Sequence, residues 1–304
     1  MNKKIILHIG LYKTGSSFIQ KFLESNKNES YVLFTRKDKL IFYLKQYLEN
    51  QSDLYKKEIL KIISNYKKTI LISSESIFGH QSNGFRDTSK RFKLLEDLFS
   101  RPNYIIFFRK PSSIIYSGFF QGLKKNHNLK LEDYCNVEIN KLKKLKIPKN
   151  FTYGSNFKLF DYNILFYDYL KIQERTLFVE FEKFFYEKKI ESFNNFIGNK
   201  FHFDFNKKIN FSNKKLIYLE FYNKFKVFRL LYKLIIKFNK LFLKKRKNKH
   251  ITFELVIIIN LLNFFLPKNY TNQINNKNRI ILDKIDVFHA SKYKKFKNRL
   301  TINQ

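Results

Sequence analysis

Ile5-Ile6-Leu7-His8-Ile9-Gly10-Leu11-Tyr12-Lys13-Thr14-Gly15-Ser16-Ser17 is the stretch on which the reading of this chain turns. An apolar run ends at Gly10, a short loop carries Lys13 and Gly15, and two hydroxyls follow. Phe18, Ile19, Phe22 and Leu23 then recur at helical spacing, which predicts a helix to about Asn26. The pattern is a strand, a tight turn and a helix N-terminus. Backbone N–H groups and the positive end of the helix dipole at such a place attract an anion. Lys13 adds a full charge on a mobile stem. A buried strand with an ordinary turn and a solvated lysine has the same outline, so the order of residues matters. A nucleotide-triphosphatase loop reads G-x-x-x-x-G-K-[ST], with lysine after the second glycine. Here Lys13 comes before Gly15.

Outward from that stretch, Tyr31–Thr35 reads as a short strand, with amphipathic helices near Asp38–Glu49 and Ser52–Tyr66. Thr69–Ser73 reads as a buried strand that runs into Ser74-Glu75-Ser76. The segment Gly79–Ser89 is polar and reads as a loop, and Lys90–Phe99 as a helix. Tyr104–Phe108 is a second strongly apolar strand. Further on, Asp161–Ile172 is expected as a helix, Arg175–Glu182 as a strand and Glu187–Phe196 as a helix. Strands alternating with helices predict an α/β fold, a parallel sheet flanked by helices. Ligands of such sheets sit beyond the C-terminal ends of the strands. Three of those ends, Gly10–Ser17, Ser74–Ser76 and Arg109–Pro111, are also the chemically loaded stretches.

A second motif follows the strand Tyr104–Phe108. It is Arg109-Lys110-Pro111, with Ser117 eight residues beyond Arg109. Pro111 suits the first turn of a helix, where a missing N–H costs nothing. Ser117 then lies about two turns in, able to face the same ligand as Arg109. Arginine suits bidentate phosphate recognition. An exposed arginine at an ordinary strand-to-helix turn is the plainer alternative.

Together the two motifs resemble those of sulfotransferases that use 3′-phosphoadenosine 5′-phosphosulfate (PAPS). The family's first loop reads lysine, a small or polar residue, glycine and two threonines; Ser16 and Ser17 keep both hydroxyls here. The resemblance implies a P-loop-like sulfotransferase fold of the prokaryotic, carbohydrate-type kind. It implies that Tyr12, Lys13, Thr14, Gly15, Ser16 and Ser17 hold the 5′-phosphosulfate of PAPS, and that Arg109 and Ser117 hold its 3′-phosphate. Lys110 departs from the acidic or amide residue the family often has there. Arg175–Glu182 is similar to a later strand of the family that runs into a glutamate, and Asn210-Phe211-Ser212 to a segment of prokaryotic members.

The implied reaction moves a sulfuryl group to an acceptor hydroxyl of a carbohydrate or glycan, including a lipid-linked one. Such a transfer depends on in-line positioning and on charge stabilisation. Lys13 is the expected stabiliser of the leaving oxygens. Glu75, just past a buried strand, is the expected base, since a partly desolvated carboxylate can have a raised pKa. A helix N-cap or a lysine salt bridge is its plainer role. His80 is the competing base, because cytosolic members use histidine. His8 lies inside the first strand and reads as a core residue. No metal is expected, since neither a carboxylate pair nor a His cluster has metal spacing.

Composition sets the limits. The 304 residues are 44% hydrophobic, enough for a sizeable core and unlike a disordered chain. They are expected to form a single domain, with an α/β core over 1–211 and a helical, lysine-rich C-terminal part over 212–304. The formal net charge of +35 would ordinarily point to nucleic acid or an anionic membrane. Lys, Asn, Ile, Phe and Tyr are all abundant, while alanine occurs only at Ala290. That pattern fits AT-rich coding, so no specific nucleic-acid partner is expected.

The lone Cys135 excludes an internal disulfide and fits either a reducing, cytoplasmic setting or simple scarcity of cysteine. The apolar run after Lys3-Lys4 is too short for a secretory leader and has no small-residue cleavage site. Leu255–Leu266 is shorter than the roughly 20 residues a spanning helix needs, and reads as a buried helix. Val227–Leu243 carries an apolar stripe beside a basic face. It fits either a core-facing helix or peripheral contact with the inner membrane surface. A P-loop-type small-molecule kinase and a non-catalytic basic protein that binds polyanions or membrane are the alternative functions.

Overall fold

A computed structural model describes residues 4–26, 30–79, 85–124, 131–135, 160–199, 201 and 268–301. His80 and the rest of 80–84 in the Gly79–Ser89 loop, Asn210–Ser212, Val227–Leu243 and Leu255–Leu266 lie outside the described residues.

Five parallel strands form one sheet. They are β1 (Ile5–Gly10), β2 (Tyr31–Thr35), β3 (Thr69–Ser73), β4 (Asn103–Phe108) and β5 (Thr176–Glu180), in the spatial order β2-β3-β1-β4-β5. β1 is central, with His8 opposite Ser73 of β3 and Gly10 opposite Phe107 of β4. The chain leaves β1 toward β2 on one side and leaves β4 toward β5 on the other. The ends of β1 and β4 therefore flank a switch point, the place where ligands of open parallel sheets bind.

Helices cover both faces, which is why the strands read as nearly unbroken apolar runs. Successive side chains point to opposite faces. In β4, Tyr104, Ile106 and Phe108 enter one core, and Ile105 and Phe107 the other. The smaller core lies under α1 (Ser16–Ser25), α9 (Phe181–Phe185) and α10 (Glu191–Ile197). The larger lies under α2 (Lys39–Asn50), α3 (Asp53–Ser64), α4 (Thr88–Phe99), α5 (Pro111–Lys124), α6 (Leu131–Cys135), α7 (Tyr162–Leu165), α8 (Tyr167–Leu170) and α11 (Lys268–Thr301).

Several boundaries differ from the expectation. Asp161–Ile172 is two short helices, α7 and α8, separated at Phe166, whose ring is buried against Phe78, Phe178 and Phe296. The expected strand Arg175–Glu182 is a 3₁₀ turn over Gln173–Arg175 and then the shorter β5. Arg175 does not join the ladder because its guanidinium is held by Glu96 and by the Pro102 carbonyl. Phe181 opens α9, and the next helix, α10, begins at Glu191 rather than Glu187.

The described part of the C-terminal region packs into the larger core. Phe296 of α11 is fully buried, with ring centroids 5.1 Å from Phe108 and 5.4 Å from Tyr162. Lys110 pairs with Asp286 at 2.6 Å, and Lys297 with Glu180 at 2.9 Å. α11 thus crosses the C-terminal ends of β4 and β5. Cys135 is buried, as expected of a structural residue, and burial pushes its thiol pKa up.

Candidate active site

The loop after β1 takes the shape its sequence suggests. Gly10 and Gly15 have φ of 131° and 87°, the region that favours glycine, and Lys13 has φ of 70°. Gly15 is the N-cap of α1, and its carbonyl accepts from the amides of Phe18 and Ile19. The first-turn amides of Ser16 and Ser17 have no intrahelical acceptor, as at any helix start. Thr14 Oγ1 donates to the Leu11 carbonyl at 2.7 Å and turns inward, so Thr14 stabilises the loop with its hydroxyl. Ser16 is buried and Ser17 exposed.

Gly15 also needs to be glycine for packing. A Cβ there would lie 2.7 Å from Cε2 of Phe185 and 3.0 Å from Cε2 of Phe181. The loop rests on the aromatic floor of α9.

Glu75 begins a 3₁₀ turn, Glu75–Ile77, directly beyond β3, with Ser74 as its N-cap. The Ser16 hydroxyl, Lys13 and Arg36 lie near its carboxylate and each favours the charged form. Burial outweighs all three and holds the carboxyl above its ordinary pKa. Ser74, not Glu75, thus takes the cap position of that turn, and the Glu75 carboxylate stands beside the loop. Tyr12 is half-buried on the same side. Burial first, then the carboxylates of Glu75 and Asp87, push its phenol up, against the pull of Arg91.

The turn that carries Glu75 is braced from behind. Arg91, buried on α4, donates to the Ser76 carbonyl at 3.2 Å and forms an ion pair with Asp87. Gln20 Nε2 of α1 donates to the Ser73 carbonyl at 3.0 Å. His8 Nδ1 and Ser73 Oγ are hydrogen-bonded at 2.7 Å. Burial lowers the His8 pKa to about 4, so it is a neutral core residue, as its position in the strand suggests.

The second locus follows β4. Pro111 is the first residue of α5, and Ser117 lies half-buried on that helix. Next to it, Gly118 faces the Tyr134 hydroxyl of α6 so closely that a Cβ would collide. Arg109 Nε donates to Glu182 Oε1 at 3.1 Å, and its guanidinium lies 4.3 Å from the centroid of the Phe181 ring. The Tyr162 hydroxyl donates to the Arg109 carbonyl. Lys110, the residue that departs from the family pattern, turns to Asp286 instead.

Phe181 therefore touches both loci, one through Gly15 and the other through Arg109. The structure gathers Tyr12, Lys13, Ser16 and Glu75 around the end of β1 and β3, and Arg109 and Ser117 follow β4 on the other side of the switch point. Sequence reasoning missed Arg36, Gln20, Arg91, Phe181 and Phe185. Arg36 had a usable signal, since it directly follows β2 and so sits at a fourth strand end. Among the described residues, no group of three His, Cys, Asp or Glu side chains is placed to hold a metal ion. No helix among them is long and apolar enough to cross a membrane.

No family model matches the chain, and no curated protein matches it. Solved structures do. A sulfotransferase from Alicyclobacillus acidocaldarius is 13% identical over 73% of this chain and 93% of its own, with a TM-score of 0.44. Mouse sulfotransferase SULT7A1, complexed with PAP, is 13% identical over 68% of this chain and 62% of its own, with a TM-score of 0.40. At that identity, the chemistry has to be argued from this chain's own side chains.

Proposed function

We propose that this chain is a PAPS-dependent sulfotransferase. The observation that carries the reading is the meeting of a glycine-capped anion loop, with Lys13 and Ser16, and the Glu75 carboxylate at one side of the switch point. A loop that only bound an anion would gain nothing from a half-buried carboxylate beside it. A transfer reaction needs both groups: cationic and N–H donors for the moving and leaving groups, and a base for the incoming hydroxyl.

The roles follow from the donor types. The loop amides, Ser16, Ser17 and Lys13 bind the 5′-phosphosulfate, and Arg109 and Ser117 bind the 3′-phosphate. Glu75 takes the proton of the acceptor hydroxyl as its oxygen bonds to sulfur. The bond from sulfur to the bridging phosphate oxygen breaks, and Lys13 stabilises the charge left on that oxygen. The 3′,5′-bisphosphate (PAP) and the sulfate ester leave.

The acceptor is a carbohydrate or glycan hydroxyl, a reading supported by a strand-end glutamate at the position of the base. The single cysteine fits a cytoplasmic setting. Peripheral membrane contact, with a lipid-linked glycan as acceptor, rests on the Val227–Leu243 stripe in the sequence alone. Binding and labelled-PAPS assays test the reading. PAP should raise the Tm without magnesium, and Lys13→Ala and Arg109→Ala should each remove that shift. A larger shift with ATP and magnesium than with PAP would favour a kinase and overturn the proposal.

A further inference from the structure

Arg109 is held on two sides. Glu182 Oε1 accepts from its Nε at 3.1 Å, and the Phe181 ring lies under the guanidinium, 4.3 Å from centroid to Cζ. The ion pair engages the Nε edge, and the outer fork of Nη1 and Nη2 lies outside that contact. The other Glu182 oxygen, Oε2, is buried without a hydrogen-bond partner among the described residues, so the carboxylate is committed to Arg109. Neither partner is freely solvated, the side chains being 19% and 32% exposed. The backbone of Arg109 is fixed as well, by the Tyr162 hydroxyl on its carbonyl.

We infer that Glu182 is a positioning residue for Arg109. It occupies Nε and orients the planar fork so that Nη1 and Nη2 reach a phosphate bidentately. Phe181, adjacent in sequence, fixes the plane of the same group. The same ring packs on Gly15, so the first two residues of α9 set the spacing between the two anion loci. Glu182 touches no ligand itself. It acts on the 3′-phosphate only through Arg109, and the inference rests on the donor assignment proposed above.

The test compares two ligands that differ only in that phosphate. PAP and 5′-AMP are titrated against the full-length wild-type, Glu182→Ala and Glu182→Gln proteins by calorimetry. A hydrogen-bonded charge pair of this kind is expected to give wild type a preference for PAP of about 10- to 100-fold. Glu182→Ala should lose most of that preference through weaker PAP binding, with AMP affinity within about twofold of wild type. Glu182→Gln retains an acceptor for Nε and should restore the preference. Unchanged AMP binding also shows that the variant is folded. If Glu182→Ala does not fold, Glu182→Met, which keeps length and removes the acceptor, carries the same comparison.

A wild-type preference that survives loss of the acceptor would overturn the inference and leave the donor assignment intact. Tighter PAP binding in Glu182→Ala would also overturn it, since the carboxylate would then be a competitor of the phosphate. A wild-type protein that does not distinguish PAP from AMP would overturn the donor assignment first, and the role of Glu182 with it.

Discussion

The Ser16 hydroxyl stands beside the Glu75 carboxylate and favours its charged form, so the first turn of α1 meets the end of β3. This proximity sets the proposed base beside the loop without a covalent or helical link between them. Burial nevertheless keeps the Glu75 carboxyl above its ordinary pKa, so the folded protein holds that proton to higher pH than the unfolded chain does. The stability tied to this group is present below the unfolded carboxylate pKa and is lost as pH rises through the raised folded value. Transfer has the opposite dependence, because only the carboxylate accepts a proton. The rate should therefore rise with pH through the raised pKa and then level off. Glu75→Gln should lower turnover by about 10²- to 10⁴-fold, remove that rise and keep the PAP-induced Tm shift. A pH–rate profile that is the same in both proteins would exclude Glu75 as the base and return attention to His80.

Gly15→Ala should damage both fold and binding. Its Cβ would collide with the rings of Phe185 and Phe181, and alanine at φ of 87° is strained even in open space. The backbone part alone costs about 1–2 kcal/mol. Combining it with Phe185→Leu should recover some of the Tm loss, by making room, but not all of it. Thermal melts of the single and double variants check this. Full recovery in the double variant would mean that backbone conformation contributes nothing.

What the sequence made legible was local. β1, its loop and α1 form one continuous stretch, and so do β4, Arg109, Pro111 and α5. In each, an apolar run, a turn residue and helical spacing follow one another within some 20 residues. The pairing of Arg109 with Glu182 spans 73 positions, and no local pattern encodes it. The change from β5 to α9 was hidden for a different reason. Val179 and Phe181 are buried and alternate with Glu180 and Glu182, so the strand period continues by eye to Glu182, past the point where the strand stops. Glu180, the last residue of β5, is instead taken by Lys297 of α11, a partner 117 positions away.

The attachment of α11 separates packing from charge. Phe296 is fully buried among Phe108, Tyr162, Phe166 and Phe178, so Phe296→Ala should cost about 3–5 kcal/mol. The Lys110–Asp286 pair is short at 2.6 Å, but the Lys110 side chain is 52% exposed. Lys110→Ala should therefore cost no more than about 1 kcal/mol. Denaturant melts of the two variants give the comparison. A larger loss from the lysine than from the phenylalanine would mean that charge, not packing, holds the C-terminal helix.

His8 should set an acid limit on stability. It is 2% exposed, bonded to Ser73 and packed edge-on against Phe107, with no carboxylate among the causes of its shift. Burial lowers its pKa from 6.5 to about 4. Above 6.5 the ring is neutral in both folded and unfolded chains. As pH falls below that value, the unfolded chain takes up a proton that the folded protein refuses, and stability is lost until the folded pKa is passed. A difference of that size corresponds to about 3 kcal/mol across the window. His8→Gln, which does not titrate and keeps a hydrogen-bonding head for Ser73, should flatten this part of the stability–pH curve. Urea melts at intervals between pH 7 and pH 4 measure it. An undiminished slope in His8→Gln would assign the acid sensitivity to other groups, and the buried imidazole would then have to be ionised within the fold.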